Sequence, residues 1–255
     1  MSNTKNYHWR IAGFYFFYFA FVGMFSPYWS LYLQSIGFGA VEISILMAVQ
    51  PVMRMIAPGL WGWLADRTGK RLLVVRLAAL GGVVFYLGVF FTTQFWGMML
   101  VIALMGFFWS ASMPLVEATT LTYLGKHTSR YGRIRSWGSV GFIVSVLGLG
   151  YAFDYIAIYW LLWAGLFIML GILVFAFQIP HADVLAHHTD SQPILSIVMQ
   201  PAVLALFGAS FLMAVAHAPY YTFFSIYLVE HGYAKSAVGM LWALGVICEV
   251  GVFFL

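Results

Sequence analysis

Long apolar blocks separated by short polar joints run along the whole chain. A helix needs about 20 mostly apolar residues to cross a bilayer. The blocks predict eight membrane-spanning helices, at Ile11–Leu33, Ile43–Leu64, Leu72–Phe91, Phe95–Tyr123, Ser136–Phe153, Ile158–Phe177, Gln200–Leu228 and Ala237–Leu255. A transmembrane barrel is excluded, because its strands alternate apolar and polar residues over segments of about 10. The pattern therefore predicts an all-α polytopic membrane protein.

The composition agrees with a membrane protein and excludes several other classes. Apolar residues make up 63% of the chain and charged residues 8%, whereas about 25% of residues are charged in soluble domains. The single cysteine, Cys248, excludes an intrachain disulfide and any CxxC site. Without a basic run or a hydrolase motif, neither nucleic-acid binding nor an enzyme is predicted. No cofactor is expected, and the His and Asp residues of segment 181–190 fit no metal-ligand spacing.

Basic residues are concentrated on one side of the predicted helices. The N-terminus and the joints after helices 2 and 4 hold ten of them, namely Lys5, Arg10, Arg67, Lys70, Arg71, Arg76, Lys126, Arg130, Arg133 and Arg135. The other side has only Lys235, so the positive-inside rule places the N-terminus in the cytoplasm. The one long polar joint, residues 178–199, is then a cytoplasmic linker between a six-helix bundle (1–177) and residues 200–255.

The seventh predicted helix repeats the first. A shift of 195 positions places Tyr32-Leu33 on Tyr227-Leu228 and Gly37 on Gly232. Two parallel repeats of six helices are an architecture of secondary transporters. By this argument the chain contains one complete half and the first two helices of a truncated second half, and lacks four helices.

The joint after the second helix carries the most specific motif, Gly62-Trp63-Leu64-Ala65-Asp66-Arg67-Thr68-Gly69-Lys70-Arg71. Gly62 would allow two helices to approach closely, Asp66 would cap the N-terminus of a neighbouring helix, and Gly69 would allow a turn. This joint resembles the signature loop of the major facilitator superfamily at every defined position. The resemblance implies a gating loop, formed by Gly62, Asp66, Arg67, Gly69, Lys70 and Arg71, that latches helices in one conformation and releases them in another.

Two further stretches are similar to the phenylpropionate permease branch of that superfamily, which is related to nucleoside and oligosaccharide proton symporters. They are the aromatic first helix, with Tyr15 to Phe19 and Pro27-Tyr28-Trp29, and the entry to helix 5 from Tyr131 to Gly141. The resemblance implies a major facilitator fold with helices 1–6 plus helices 7–8 of an incomplete second half. It also implies a monomer in the bacterial inner membrane.

Four ionisable residues lie deep in predicted spans, where a charge costs about 2.5 to 3.5 kcal/mol on insertion scales. They are Arg54, Glu117, His217 and Glu249. The repeat shift places Arg54 on Glu249, so these two are either partners or, respectively, an anchor for a substrate carboxylate and a proton carrier. The resemblance supports the second role for Glu249, because lactose-permease-like symporters also use a glutamate in helix 8.

The other candidates have both structural and functional interpretations. Glu117 is predicted to form an ion pair between helices 4 and 5 with Arg135, which either changes during transport or stays fixed. His217, before Pro219, is a packing residue or a proton relay. In helix 1, an aromatic stripe that includes Tyr18, Phe25 and Tyr28 either stacks on an aromatic substrate or packs in the core.

The predicted function is secondary active transport, by proton-coupled symport of a small aromatic carboxylate of the phenylpropionate type. The alternatives are a nucleoside or sugar proton symporter, or a truncated fragment without transport activity. The expected partners are a small-molecule substrate, the proton and the lipid bilayer.

The topology predicts which side of the membrane reaches residue 187. In a Cys248→Ser background, a His187→Cys variant should react with an impermeant thiol reagent in inside-out vesicles and stay unlabelled in intact cells. Labelling from outside in intact cells would overturn the predicted orientation.

Overall fold

The computed structural model describes residues 3–125, 130–180 and 198–252. In these ranges the chain forms α1 Asn3–Ser35, α2 Ala40–Thr68, α3 Arg71–Tyr86, α4 Phe95–Leu124, α5 Tyr131–Tyr155, α6 Leu161–Gln178, α7 Pro201–Glu230 and α8 Lys235–Val252. Short 3-10 turns, Leu87–Phe91 and Ile158–Trp160, follow α3 and precede α6. The described ranges contain no strand.

Helices α1 to α7 are long and apolar enough to cross a membrane, which identifies an integral multi-pass membrane protein. The eighth predicted span, Ala237–Leu255, runs past the last described residue, and most of the predicted linker lies outside the described residues. We call the membrane side on which α1 begins the N-terminal side and the opposite one the far side. Helices α5 and α7 end on the far side, and α8 begins there.

The joints after α1 and after α7 have the same backbone structure, 195 positions apart. Gly37 and Gly232 both adopt positive φ, +97° and +84°, which glycine tolerates without strain. The backbone hydrogen bonds agree position for position: Ile36 to Tyr32 and His231 to Tyr227, Gly37 to Gln34 and Gly232 to Val229, Phe38 to Leu33 and Tyr233 to Leu228. This equivalence supports the repeat predicted from the sequence.

Helix α1 lies at the centre of the bundle. In its most apolar stretch 67% of residues are buried, against 28% in α2. It packs against α5 and α6, while α4 packs against α2 and α3. The two helices of the second half join this bundle through α1, which contacts α7, and through α5, which contacts α8.

The backbones of α1 and α5 approach closely because glycines on each helix face the other one. A Cβ atom added at Gly23 would lie 2.7 Å from the carbonyl oxygen of Phe142, and one at Gly138 would lie 2.6 Å from the Phe19 ring. A contact with backbone cannot relax by rotating a side chain. Glycine at position 23 is therefore a packing requirement of this helix pair.

A Gly23→Ala substitution should therefore destabilise the protein by about 1–3 kcal/mol, as overpacked cores do. The measurement is thermal unfolding of the detergent-solubilised protein. Gly148→Ala is the matched control, because a Cβ atom at this helical glycine meets nothing within 4 Å. Equal melting temperatures for the two variants would contradict the inferred contact.

Candidate functional site

A cation and an aromatic pair meet at the centre of the first six helices. Arg54 and Trp109 lie at the midpoints of α2 and α4. The Arg54 guanidinium carbon lies 5.1 Å from the centroid of the Trp109 ring. Tyr18 of α1 stacks on the same tryptophan, with ring centroids 4.3 Å apart and an interplanar angle of 7°. Both rings are buried, whereas the Arg54 side chain is exposed.

A second guanidinium lies on the N-terminal side of this group. The guanidinium carbon of Arg135, on α5, is 4.0 Å from the ring centroid of Phe19 and 5.8 Å from that of Tyr15. The aromatic layer of α1 is thus flanked by two permanent cations, which favour an anion nearby.

The structure shows no ion pair within 4.0 Å between Glu117 and Arg135, the two residues predicted to join helices 4 and 5. Glu117 instead accepts a hydrogen bond from the hydroxyl of Tyr131, which lies one turn before Arg135 on the same face of α5. Arg135 turns its guanidinium onto the Phe19 ring. The phenol of Tyr131 is therefore the partner of Glu117, and the Phe19 ring is the partner of Arg135.

Arg54 and Glu249 are not partners either. The structure shows an ion pair within 4.0 Å between Arg71 and Asp66, at 3.7 Å, and none between Arg54 and Glu249. Glu249 is exposed on α8. His217 is also exposed, and its Nδ1 lies 2.8 Å from the carbonyl oxygen of Met213 in its own helix. Of the four ionisable residues deep in the spans, only Glu117 has a side-chain hydrogen-bond partner on another of the described helices.

Two of the three aromatic candidates in α1 are packing residues here. Phe25 is 6% exposed and stacks between Phe21 and Trp29. Tyr28 is fully buried and donates a hydrogen bond of 2.6 Å to the carbonyl oxygen of Val146 in α5. Tyr18 is the one of the three candidates that stacks on Trp109, the ring beneath Arg54.

Sequence reasoning missed two polar groups beside Arg54. Both amide atoms of buried Gln50, one turn earlier in α2, lack a hydrogen-bond partner, as does the indole nitrogen of Trp109. A Cβ at Gly106 would lie 3.2 Å from Gln50 Oε1, so this glycine makes room for the amide. The four-residue spacing from Arg54 was a usable signal for Gln50. No local pattern marks Trp109, whose neighbour Arg54 is on another helix.

The signature loop has some of its predicted features. Gly69 ends α2 with φ +64°, which confirms the predicted turn. Asp66 is 76% exposed and pairs with Arg71 at the start of α3 instead of capping a helix. Arg67 lies over Trp63, with 5.1 Å from its guanidinium carbon to the ring centroid. A Cβ at Gly62 would meet nothing within 4 Å, so the predicted close approach at this glycine is absent.

The far side joins the two halves through polar contacts. Gln34 at the end of α1 donates a hydrogen bond of 2.8 Å to Glu230 at the end of α7. Asp154 near the end of α5 accepts hydrogen bonds from the backbone N–H groups of Lys235 and Ser236 at the start of α8. By contrast, the most apolar stretch of α7 has no buried residue.

Comparisons with known proteins place these features in a family. The sequence model described as the MFS_1 like family matches residues 8–255. A probable 3-phenylpropionic acid transporter of Escherichia coli (strain K12) is 33% identical over 258 residues, which cover 97% of this chain and 66% of the relative. A maltose permease of Geobacillus stearothermophilus is 28% identical over 240 residues, 91% of this chain and 60% of the relative. The chain thus spans less than two thirds of either protein.

A solved structure shows the same fold. The crystal structure of the nucleoside transporter NupG superposes with a TM-score of 0.80 at 17% sequence identity. The match covers 98% of this chain and 66% of that one. At this identity the similarity concerns the fold alone.

Proposed function

The chain belongs to the MFS_1 like family, and from this premise we propose that it serves proton-coupled symport of a small aromatic carboxylate. The comparisons confirm the resemblance to the major facilitator superfamily, whose members matched here are transporters and not enzymes. The substrate and the coupling to protons are the proposed part. The name of one relative, a probable 3-phenylpropionic acid transporter, supports this choice of substrate class.

The observation that carries the proposal is the position of Arg54 over Trp109 without a carboxylate partner. A permanent charge at the midpoint of a membrane helix is costly, and such residues mark substrate pathways. Transporter sites lie near the bilayer midplane. A guanidinium binds a carboxylate bidentately, and the adjoining Trp109 and Tyr18 rings offer an aromatic surface for the rest of the substrate.

The coupling site in this proposal is Glu249. It is equivalent to Arg54 under the repeat, and no basic side chain lies within 4.0 Å of it in the described part of the chain. A carboxylate without a basic partner in an apolar helix is suited to bind and release a proton. Glu117 has a phenolic partner in Tyr131 and is the alternative carrier, while His217 is a third candidate.

The signature loop has the gating role in this proposal. Its residues Asp66 and Arg71 form an exposed ion pair across the turn between α2 and α3, far along α2 from Arg54. In the same proposal the loop lies in the cytoplasm, and the protein acts as a monomer in the bacterial inner membrane. The basic residues on the N-terminal side support this orientation.

Replacing Arg54 tests the substrate class. In the complete protein, Arg54→Gln should weaken binding of 3-phenylpropionate by about 10- to 150-fold, because a hydrogen bond to a charged group contributes about 1.5–3 kcal/mol. Binding of the neutral amide of the same acid should change little. Equilibrium binding to purified protein measures both, and the exposed Arg130→Gln is the control for loss of a charge.

Equal weakening for acid and amide would contradict a carboxylate anchor. Binding of a nucleoside or sugar but not of the acid would favour the alternative substrates.

Replacing Glu249 tests proton coupling. Glu249→Gln should abolish uphill accumulation driven by a pH difference but spare exchange of internal for external substrate, because exchange moves no net proton. Both are measured in proteoliposomes that contain the complete protein. Glu249→Asp, which keeps a titratable carboxyl, should retain accumulation. Accumulation by Glu249→Gln would exclude this residue as the coupling site and direct attention to Glu117 and His217.

A further inference from the structure

The two equivalent helices α2 and α8 satisfy their first backbone N–H groups differently. At the start of α2, Glu42 accepts a hydrogen bond of 2.9 Å from the backbone N–H of Gly39, a cap made within the helix itself. The repeat shift of 195 places Ala237 where Glu42 stands, and alanine has no acceptor. Helix α8 therefore lacks the first-turn carboxylate that α2 supplies from its own sequence.

The acceptor for α8 comes from the other half of the protein. Asp154 Oδ1, on α5, lies 2.8 Å from the backbone nitrogen of Lys235 and 3.3 Å from that of Ser236. In return, Lys235 Nζ donates a hydrogen bond of 3.2 Å to the carbonyl oxygen of Phe153 at the end of α5. An anion thus lies at the N-terminus of α8 and a cation at the C-terminus of α5, which is the favourable arrangement for both helix dipoles.

These hydrogen bonds lie next to a close contact between the backbones of α5 and α8. A Cβ atom at Gly150 would lie 2.8 Å from the carbonyl oxygen of Lys235, and one at Gly239 would lie 2.6 Å from that of Val146. The cap forms only while α5 and α8 are this close. Moving α8 away from α5 would leave the N–H groups of its first turn without their protein acceptor.

We propose that Asp154 is a latch that holds the two halves of the protein together on the far side. Its carboxylate stabilises the conformation in which the far side is closed. It does not stabilise a conformation in which α5 and α8 are apart. The inference rests on the proposed transport function, because a latch matters only if the halves change their relative position. Its test needs no substrate, so a failed binding test with the acid would leave the result interpretable.

The test measures the distance between the halves. Spin labels at Tyr159→Cys and Tyr233→Cys, in a Cys248→Ser background, report the separation of two exposed far-side joints by double electron-electron resonance. Asp154→Ala should raise the ratio of open to closed molecules roughly fivefold, the effect expected from losing one N-cap. Asp154→Asn is the matched control and should stay close to the parent protein, because asparagine caps helices as well as aspartate does.

A second substitution separates a latch from a purely structural cap. Ala237→Glu, added to Asp154→Ala, gives α8 an acceptor for the N–H of Ala234, as Glu42 is for Gly39, and an anion in its first turn. This should recover any melting temperature lost by Asp154→Ala. Under the proposal it leaves the far side open, because the new cap does not involve α5. Recovery of the closed distance by Ala237→Glu, or an unchanged distance in Asp154→Ala, would overturn the latch.

Discussion

The close packing of α1 against α5 is the contact on which the rest of the structure depends. Small residues let the two backbones meet, with Gly23 against the carbonyl group of Phe142. Helix α1 places Tyr18 on Trp109 and packs against α7. Helix α5 places Arg135 on the Phe19 ring and packs against α8. Both the candidate site and the attachment of the second half therefore use the same helix pair.

The membrane makes the placement of charge the second constraint. A polar group there needs a partner inside the protein, since lipid offers none. The first half meets this need with aromatic rings more than with opposite charges: Arg54 lies over Trp109, and Arg135 over Phe19. A cation over a ring is stabilised but keeps its charge uncompensated. That residual charge is what the proposed carboxylate site uses.

The sequence predicted the fold better than the site, for physical reasons. Spans and turns are local: an apolar block long enough to cross a bilayer predicts a helix, and Gly69 predicts the turn that ends α2. Which side chains meet across helices is not local. The sequence suggested that Glu117 pairs with Arg135. In the structure Glu117 instead accepts a hydrogen bond from Tyr131, one turn before Arg135. Likewise, Trp109 is one of many aromatic residues in an apolar helix, and only packing shows that Arg54 lies on it.

The repeat shows where the two halves are alike and where they have diverged. Backbone geometry is the shared part, since Gly37 and Gly232 both have positive φ and the two joints have equivalent hydrogen bonds. Side-chain chemistry differs, because Glu42, which caps α2, is matched by Ala237 in α8. A turn must be built the same way in both halves for the helices to pack. A cap or a charge need not be, so the two halves can differ at such positions. The contacts that join the halves, and the charges proposed to bind substrate and proton, lie at such unequal positions.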